Sequence, residues 1–299
     1  MTTLSFEDIF AQKYPKTYQR ILAIFEEANG CRATFENITK PYLAAFVDLL
    51  MEKVAPSSAK TYTAQFKACI NLYLEEFNLA KGWDKIMTVK NDVSEQIYLT
   101  DEELRRVIEY LPDNKTEATV QQQFILSCLI GARHGDIVKL TEKNIRDGYV
   151  CYVSEKTHIK AQVPLSDVAG NILRGKFFNK SLRLFDDSNF EYLAYQSKVS
   201  DTTFNDVLRR LCMLCDIDEE ITLYKRGQNI TAPKWTFASS HTGRRTCATL
   251  LYLHGCDIYS ISRILAHSSV EMTAQKYILA PLRTLSEETM GFFNQFKYF

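Results

Sequence analysis

The sequence predicts a mainly α-helical protein with small β-hairpins, folded as two domains. Apolar residues recur at helical intervals along most of the chain, and two pairs of short alternating segments flank turns. The 299 residues also suit two units, on a prior of roughly 100–200 residues per domain. Helical spacing over residues 4–28, 39–54, 57–77 and 79–87, punctuated by Gly30, Pro41 and Pro56, predicts a bundle over about the first 90 residues. In the third segment Ser57 or Ser58 is the expected cap, and Tyr62, Phe66, Cys69, Ile70 and Tyr73 form an apolar face. Lys60 and Lys67 share a second face, which either meets a phosphate backbone or is an ordinary solvated surface.

Residues 88–99 lack helical periodicity and read as a linker between domains at 1–93 and 98–299. The second domain opens on a capping box, Thr100-Asp101-Glu102-Glu103, whose extra carboxylates suit the positive end of a helix dipole. A helix over about 117–130 stops at Gly131, and Arg133 then falls in a turn before a short helix reaching Leu140. Tyr149 to Val153 and Ile159 to Pro164 read as strands around a turn that carries Lys156, with Lys160 nearby. Helices follow at about 166–174 and 202–215. A second hairpin joins 221–224 to 230–231 through Gly227, and the rest is helical from His241, with His254 a C-terminal cap.

The 36 basic and 36 acidic residues cancel, so any nucleic-acid surface must arise from local sorting of charge. The N-terminus lacks a secretory pattern and no apolar run is long enough to span a bilayer, which together predict a cytosolic protein. The eight cysteines show no secreted spacing. Cys212 and Cys215 form the only CxxC and are expected to be buried helix thiols rather than metal ligands.

The chemistry-bearing residues come in one order. They are Gly131-Ala132-Arg133-His134-Gly135-Asp136, Glu155-Lys156-Thr157, His241-x-x-Arg244-Arg245-Thr246, Leu265-Ala266-His267-Ser268-Ser269, and Tyr277. This set resembles the tyrosine recombinases, or phage-type integrases, particularly those of bacterial mobile elements and phages. The motifs span 133–277, and the helical N-terminal unit is similar to the family's core-binding domain. The ordered set is specific, whereas HxxR alone would be weak.

The residues support the chemistry in their own right. A phosphodiester gains negative charge as its pentacoordinate transition state forms. Arg133 and Arg244 can answer this with planar, permanently charged forks, each donor contributing roughly 10²–10³ in rate. Tyr277 is the expected nucleophile, since a phenol can store the phosphodiester's free energy in a covalent phosphotyrosine without ATP. Lys156, on a mobile hairpin, is the expected general acid for the leaving 5′-oxygen, a role the resemblance also implies. His241 and His267 suit proton transfer or phosphate positioning near neutral pH. The family assigns the first to acid–base assistance and the second to a hydrogen bond on phosphate. Asp136 is expected to orient an arginine or a histidine, and Arg245 is a further candidate DNA contact.

Two features depart from the family pattern. The separation of His267 and Tyr277 is 10, one longer than usual, so the extra residue must sit in a loop or bulge, because a helix would turn the tyrosine by about 100°. His134 stands where relatives usually have a small residue.

The resemblance implies a two-domain recombinase that cleaves and rejoins strands through a 3′-phosphotyrosine, with no metal or other cofactor. Its partners would be double-stranded recombination sites, further copies of the chain in a homotetrameric synapse on DNA, the chain being a monomer when free in solution, and accessory DNA-bending proteins, at the bacterial nucleoid. On this reading the chain is expected to open directly on the core-binding unit, with little room for the separate arm-site domain that some integrases carry. The tail at 282–299, with Phe292, Phe293, Phe296 and Phe299 at helix-like intervals, is expected to dock either on its own core or on a neighbouring protomer. A type IB topoisomerase-like nicking and resealing enzyme would use the same residues. A DNA-binding regulator with a relict active site is the reading from a different class.

Overall fold

A computed structural model describes residues 5–89, 95–177, 194–225 and 228–279. The 282–299 tail, the Gly227 turn and the middle of the expected linker lie outside the described residues. Two compact units emerge, Met1–Glu95 with Leu223–Ile230, and Gln96–Thr222 with Thr231–Phe299. No helix among the described residues is long and apolar enough to cross a membrane.

The first unit holds α1 (Phe6–Lys13), α2 (Tyr18–Asn29), α3 (Lys40–Lys53), α4 (Pro56–Leu72) and α5 (Trp83–Ile86). The single helix expected over 4–28 is therefore two. Pro15 lacks an amide hydrogen and disfavours helical backbone at Tyr14, which turns to φ −134° and ψ 60°. Likewise α4 begins on Pro56, with Ala55 as its cap in place of Ser57 or Ser58, because proline suits the first helical turn. Its apolar face is shorter than expected, since Phe66, Cys69 and Ile70 are buried but Tyr73 is exposed. Phe66 is the hub of the core, its ring 5.0–5.6 Å from those of Phe6, Phe10, Phe25 and Phe46. The expected linker is tethered at both described ends, with Val89, Ile97 and Leu99 buried.

The second unit opens with α6 (Asp101–Glu109), whose Thr100–Glu103 capping box forms as expected. Next comes α7 (Lys115–Ile130), which is buried on every face. Two of its buried amides are satisfied internally, Gln121 donating to the Val107 and Tyr110 carbonyls and Gln123 to those of Tyr195 and Ser197. Gly131 ends α7 in the left-handed region at φ 66°, where a Cβ would also lie 2.7 Å from Leu265. After α8 (His134–Ile137) comes a three-stranded antiparallel sheet, β1 (Ile145–Arg146), β2 (Tyr149–Val153) and β3 (Lys160–Pro164), in that order. The extra strand β1 is joined to β2 by Asp147-Gly148, both at positive φ as a tight hairpin requires. Val150 and Tyr152 of β2 face the core with Val163 and Ala161 opposite them.

The chain continues through α9 (Asp167–Leu173) and α10 (Asp201–Leu214) to the hairpin β4 (Glu220–Lys225) and β5 (Gln228–Pro233). It ends in α11 (Ser240–Leu253), α12 (Ile258–Ile264) and α13 (Val270–Lys276). Helix α11 packs on α7 at Gly243, where a Cβ would come within 2.7 Å of Ser127. This contact brings the start of α11, with Arg244, against the end of α7, with Arg133 just beyond it. Cys212 and Cys215 are buried, and burial raises both thiols, Cys215 to about 12.

Candidate active site

Arg133 leaves the α7 terminus as the extended N-cap of α8. Its Nη1 donates to Ser154 Oγ at 2.6 Å, and that hydroxyl donates to Asp136 Oδ2 at 2.9 Å. Asp136 Oδ1 also accepts the Glu155 N–H at 3.0 Å. Asp136 thus orients an arginine, as expected, but through Ser154, and it holds the Lys156 turn as well. Burial and, after it, the charge of the neighbouring Arg244 depress the Arg133 guanidinium.

Arg244 is 1% exposed, and its fork is engaged by the ends of two helices. Nη1 donates to the Gly131 carbonyl closing α7, and Nη2 to the Leu265 carbonyl closing α12 at 2.9 Å. A cation between two helix C-termini is favourably placed. Nη2 also lies 2.9 Å from His267 Nε2, while His267 Nδ1 lies 2.8 Å from Thr273 Oγ1. Because guanidinium only donates, Nε2 must accept and Nδ1 must carry the proton, which makes His267 a neutral imidazole with both nitrogens occupied. Burial, Arg244 and Arg133 push its pKa down to about 3.

His241, at the start of α11, reaches solvent, yet desolvation by its packed surroundings and the charges of Arg245, Arg244, Lys156 and Arg133 push it down to about 4. The expectation that these histidines titrate near neutral pH is therefore corrected: burial, and after it the cations that suit a phosphate, hold both imidazoles neutral.

Tyr277 lies just past α13 as its C-cap, at φ −121° and ψ −27°. The extra residue between His267 and Tyr277 is absorbed because α13 starts only after the His267–Ser269 loop and ends before the tyrosine. The half-buried Tyr277 ring sits 4.4 Å from that of His267, with the Arg244 guanidinium carbon 5.4 Å from its centroid. Arg245 is half-buried beside this group. Burial lowers its guanidinium while Tyr277 raises it, and its Nε has no hydrogen-bond partner among the described residues.

Lys156 is exposed at the β2–β3 turn, and that turn is pinned where a mobile hairpin was expected. Thr157 Oγ1 donates to the Ala266 carbonyl at 3.1 Å, Ser154 N–H to the Ile159 carbonyl at 3.0 Å, and Lys139 Nζ contacts Glu155 at 2.5 Å. Ala266, held at φ 48°, is the residue before His267, so one hydroxyl ties the lysine's turn to the histidine's loop. Lys160 pairs with exposed Val153 on the solvent face of the sheet, opposite Tyr152 and Ala161.

The six residues from Arg133 to Tyr277 thus gather in the second unit. Lys60 and Lys67 lie in the first, Lys60 exposed on α4 and Lys67 with Nζ 3.4 Å from Thr88 Oγ1. His134 belongs to the scaffold, its ring 4.4 Å from Phe204 and its Nε2 3.0 Å from Gln123. Sequence reasoning missed Ser154, although extending the inward alternation of Val150 and Tyr152 by two residues reaches it.

The phage integrase family model matches residues 97–280, which cover this whole constellation. The chain belongs to the phage integrase family. It is 26% identical over 194 residues to the integrase of Escherichia phage P2, covering 64% of this chain and 46% of that protein. The chain thus spans about half the length of that curated relative. A lambda integrase dimer bound to a COC′ core site superposes with TM-score 0.60 at 17% identity, over 90% of this chain and 92% of that one. The Tn1549 transposon integrase, solved with circular intermediate DNA, gives 0.63 at 12% identity over 96% and 99%. XerH recombinase bound to a palindromic difH substrate gives 0.62 at 15% over 94% and 78%. These likenesses establish that this integrase-family chain shares their fold.

The depressed histidines are expected to make the fold acid-sensitive. An unfolded imidazole titrates near 6.5 and His267 near 3, so between these values the unfolded chain binds a proton the folded one refuses. Stability is therefore expected to fall as pH drops from 6.5 towards 4, by at most about 1.4 kcal/mol per pH unit for one desolvated imidazole. Solvent-accessible His241 contributes less. Calorimetric Tm values across that range check the slope, and His267→Gln, which keeps an acceptor for Arg244 but cannot titrate, is expected to flatten it.

Proposed function

We propose that this chain is a site-specific DNA recombinase that cleaves and rejoins strands through a 3′-phosphotyrosine at Tyr277. The observation that carries the reading is the packing of Tyr277 against the Arg244–His267 pair, its ring tilted on the imidazole and under the guanidinium, which sets a phenol nucleophile beside a cation suited to phosphate. Arg133 and Arg244 neutralise the non-bridging oxygens, and spare guanidinium donors remain, since Arg244 Nε has no hydrogen-bond partner among the described residues. The phenol oxygen bonds to phosphorus as the P–O5′ bond breaks, and Lys156 gives the departing oxygen its proton. Neutral His241 takes up the phenol proton once the negative charge of the bound phosphodiester offsets the cations that otherwise hold its pKa down, and His267 keeps Arg244 in register. Neither a metal nor ATP enters this scheme.

In the same reading the helices at 1–93 form a core-binding domain that grips duplex DNA, with Lys60, Lys67 and Arg245 as contacts. Residues 98–299 form the catalytic domain. Protomers pair on inverted half-sites and four meet in synapsis, assisted by DNA-bending proteins, at the nucleoid in the cytoplasm.

The test uses duplexes that the protein itself selects from a random-sequence pool, nicked next to the cleavage position so that the adduct is trapped. Mass spectrometry is expected to find the nucleotide on the peptide containing Tyr277. Attachment to Tyr252 or Tyr298, or no adduct, would overturn the assignment. Plasmid relaxation without exchange between two sites would instead identify a topoisomerase-like nicking and resealing enzyme.

A further inference from the structure

We infer that Thr249 is a positioning residue that presents Tyr277 to the phosphate clamp of its own protomer; the inference rests on the reading of Tyr277 as nucleophile. Thr249 lies inside α11 and is 0% exposed. A threonine within a helix commonly returns its hydroxyl to the carbonyl four residues earlier. Thr63 and Thr119 do so here, donating to the Ala59 and Lys115 carbonyls at 2.9 Å. Thr249 instead sends its hydroxyl out of its own helix. Oγ1 donates to the Tyr277 carbonyl at 3.0 Å and accepts the Leu279 N–H at 3.0 Å. One buried hydroxyl, with its donor and an acceptor site both used, therefore brackets Ile278.

This clasp falls where it is needed. Past the end of α13 no helical ladder fixes the course of the chain, and Tyr277 is the first residue beyond that end. Its amide still reaches back to the Thr273 carbonyl at 3.1 Å, and the amide of Ile278 to the same oxygen at 3.2 Å, so α13 holds one side of the tyrosine. Thr249 holds the other. Because Thr249 and Arg244 sit on one helix, the clasp and the clamp move as one body. The ring consequently rests over its own protomer's Arg244 and His267. The clasp also lets the long His267–Tyr277 spacing deliver a defined ring position, since the tyrosine is located by α11 and its place on a continued helix is irrelevant.

The test compares Thr249→Val, which keeps the shape and removes the hydroxyl, with Thr249→Ser, which keeps the hydroxyl. At saturating protein on the nicked duplex, the valine variant is expected to form the Tyr277 adduct about 10–100-fold more slowly, since a misplacement of about 1 Å can cost 10². Its affinity for the same duplex is expected to be unchanged. Serine should restore the rate to within about threefold. Exchange of the Leu279 amide should accelerate in the valine variant and be restored by serine. A mixture of Arg133→Ala and Tyr277→Phe protomers, each lacking one part of the site, should form no adduct. Wild-type cleavage by the valine variant, or an adduct from the mixture, would overturn the clasp while leaving the recombinase reading intact. Failure of the wild-type chain to form any Tyr277 adduct would sink both.

Discussion

Arg244→Lys is expected to lower the rate of covalent adduct formation by about 10²–10³ and to destabilise the fold in the same variant. The two losses come from one side chain because Arg244 is both clamp and rivet. Its guanidinium binds the carbonyls that close α7 and α12 and the acceptor nitrogen of His267, all away from solvent. Lysine carries the charge but lacks the planar fork, so these three acceptors cannot all be served. Leaving buried acceptors unpaired costs about 1–3 kcal/mol each, so a total of roughly 3–5 kcal/mol is expected. At about 2–4 °C per kcal/mol for a domain of this size, Tm should fall by roughly 6–20 °C. Arg133→Lys is the control. Arg133 is half-buried and reaches Ser154, so its replacement should cost a similar factor in rate with a much smaller change in Tm. Single-turnover cleavage and calorimetry on both variants separate the roles. An unchanged Tm for Arg244→Lys would show that the fork is not wired into the helix ends.

The same residue shows what the sequence could and could not convey. Its place in His241-x-x-Arg244 marks it as a phosphate ligand by side-chain type and order, and the helical period placed it near the start of a helix. Its partners in the fold are backbone carbonyls, which every residue carries and no motif records. Thr157 and Thr249 were silent for the same reason, since each acts on a carbonyl far along the chain. Local rules fared well where the signal was local. The Thr100 box, the Gly131 stop and the β2–β3 alternation appear where spacing put them. The misreadings were also local in origin. Pro15 divides the first helical stretch, and Asp147-Gly148 is a hairpin signal that predicts β1. The depression of the histidines is not legible in the sequence, because it depends first on burial and then on how cations converge in space, four of them on His241 and Arg244 and Arg133 on His267.

That turn supports the second large effect, the expected loss of about 10²–10⁴ in strand cleavage for Lys156→Ala, the range for removing a general acid. The side chain is exposed, so Tm should hold. Its position is nonetheless defined. Asp136 holds the Glu155 amide on one side of it and Ala266 accepts from Thr157 on the other, so the residues flanking the lysine are fixed to the loops that carry Arg133 and His267. An ammonium held this way can meet the departing 5′-oxygen without a search. The test replaces that oxygen with sulfur in the nicked duplex. A thiolate leaves readily without a proton, so Lys156→Ala should cleave the sulfur substrate at nearly the wild-type rate, whereas Arg244→Lys should remain slow because its phosphate clamp is still damaged. Lys160→Ala should cleave both substrates normally, since Lys160 lies on the solvent face of the sheet. If sulfur leaves the Lys156→Ala defect unchanged, the lysine binds phosphate and does not protonate the leaving group, and the acid must be sought among the groups around His241.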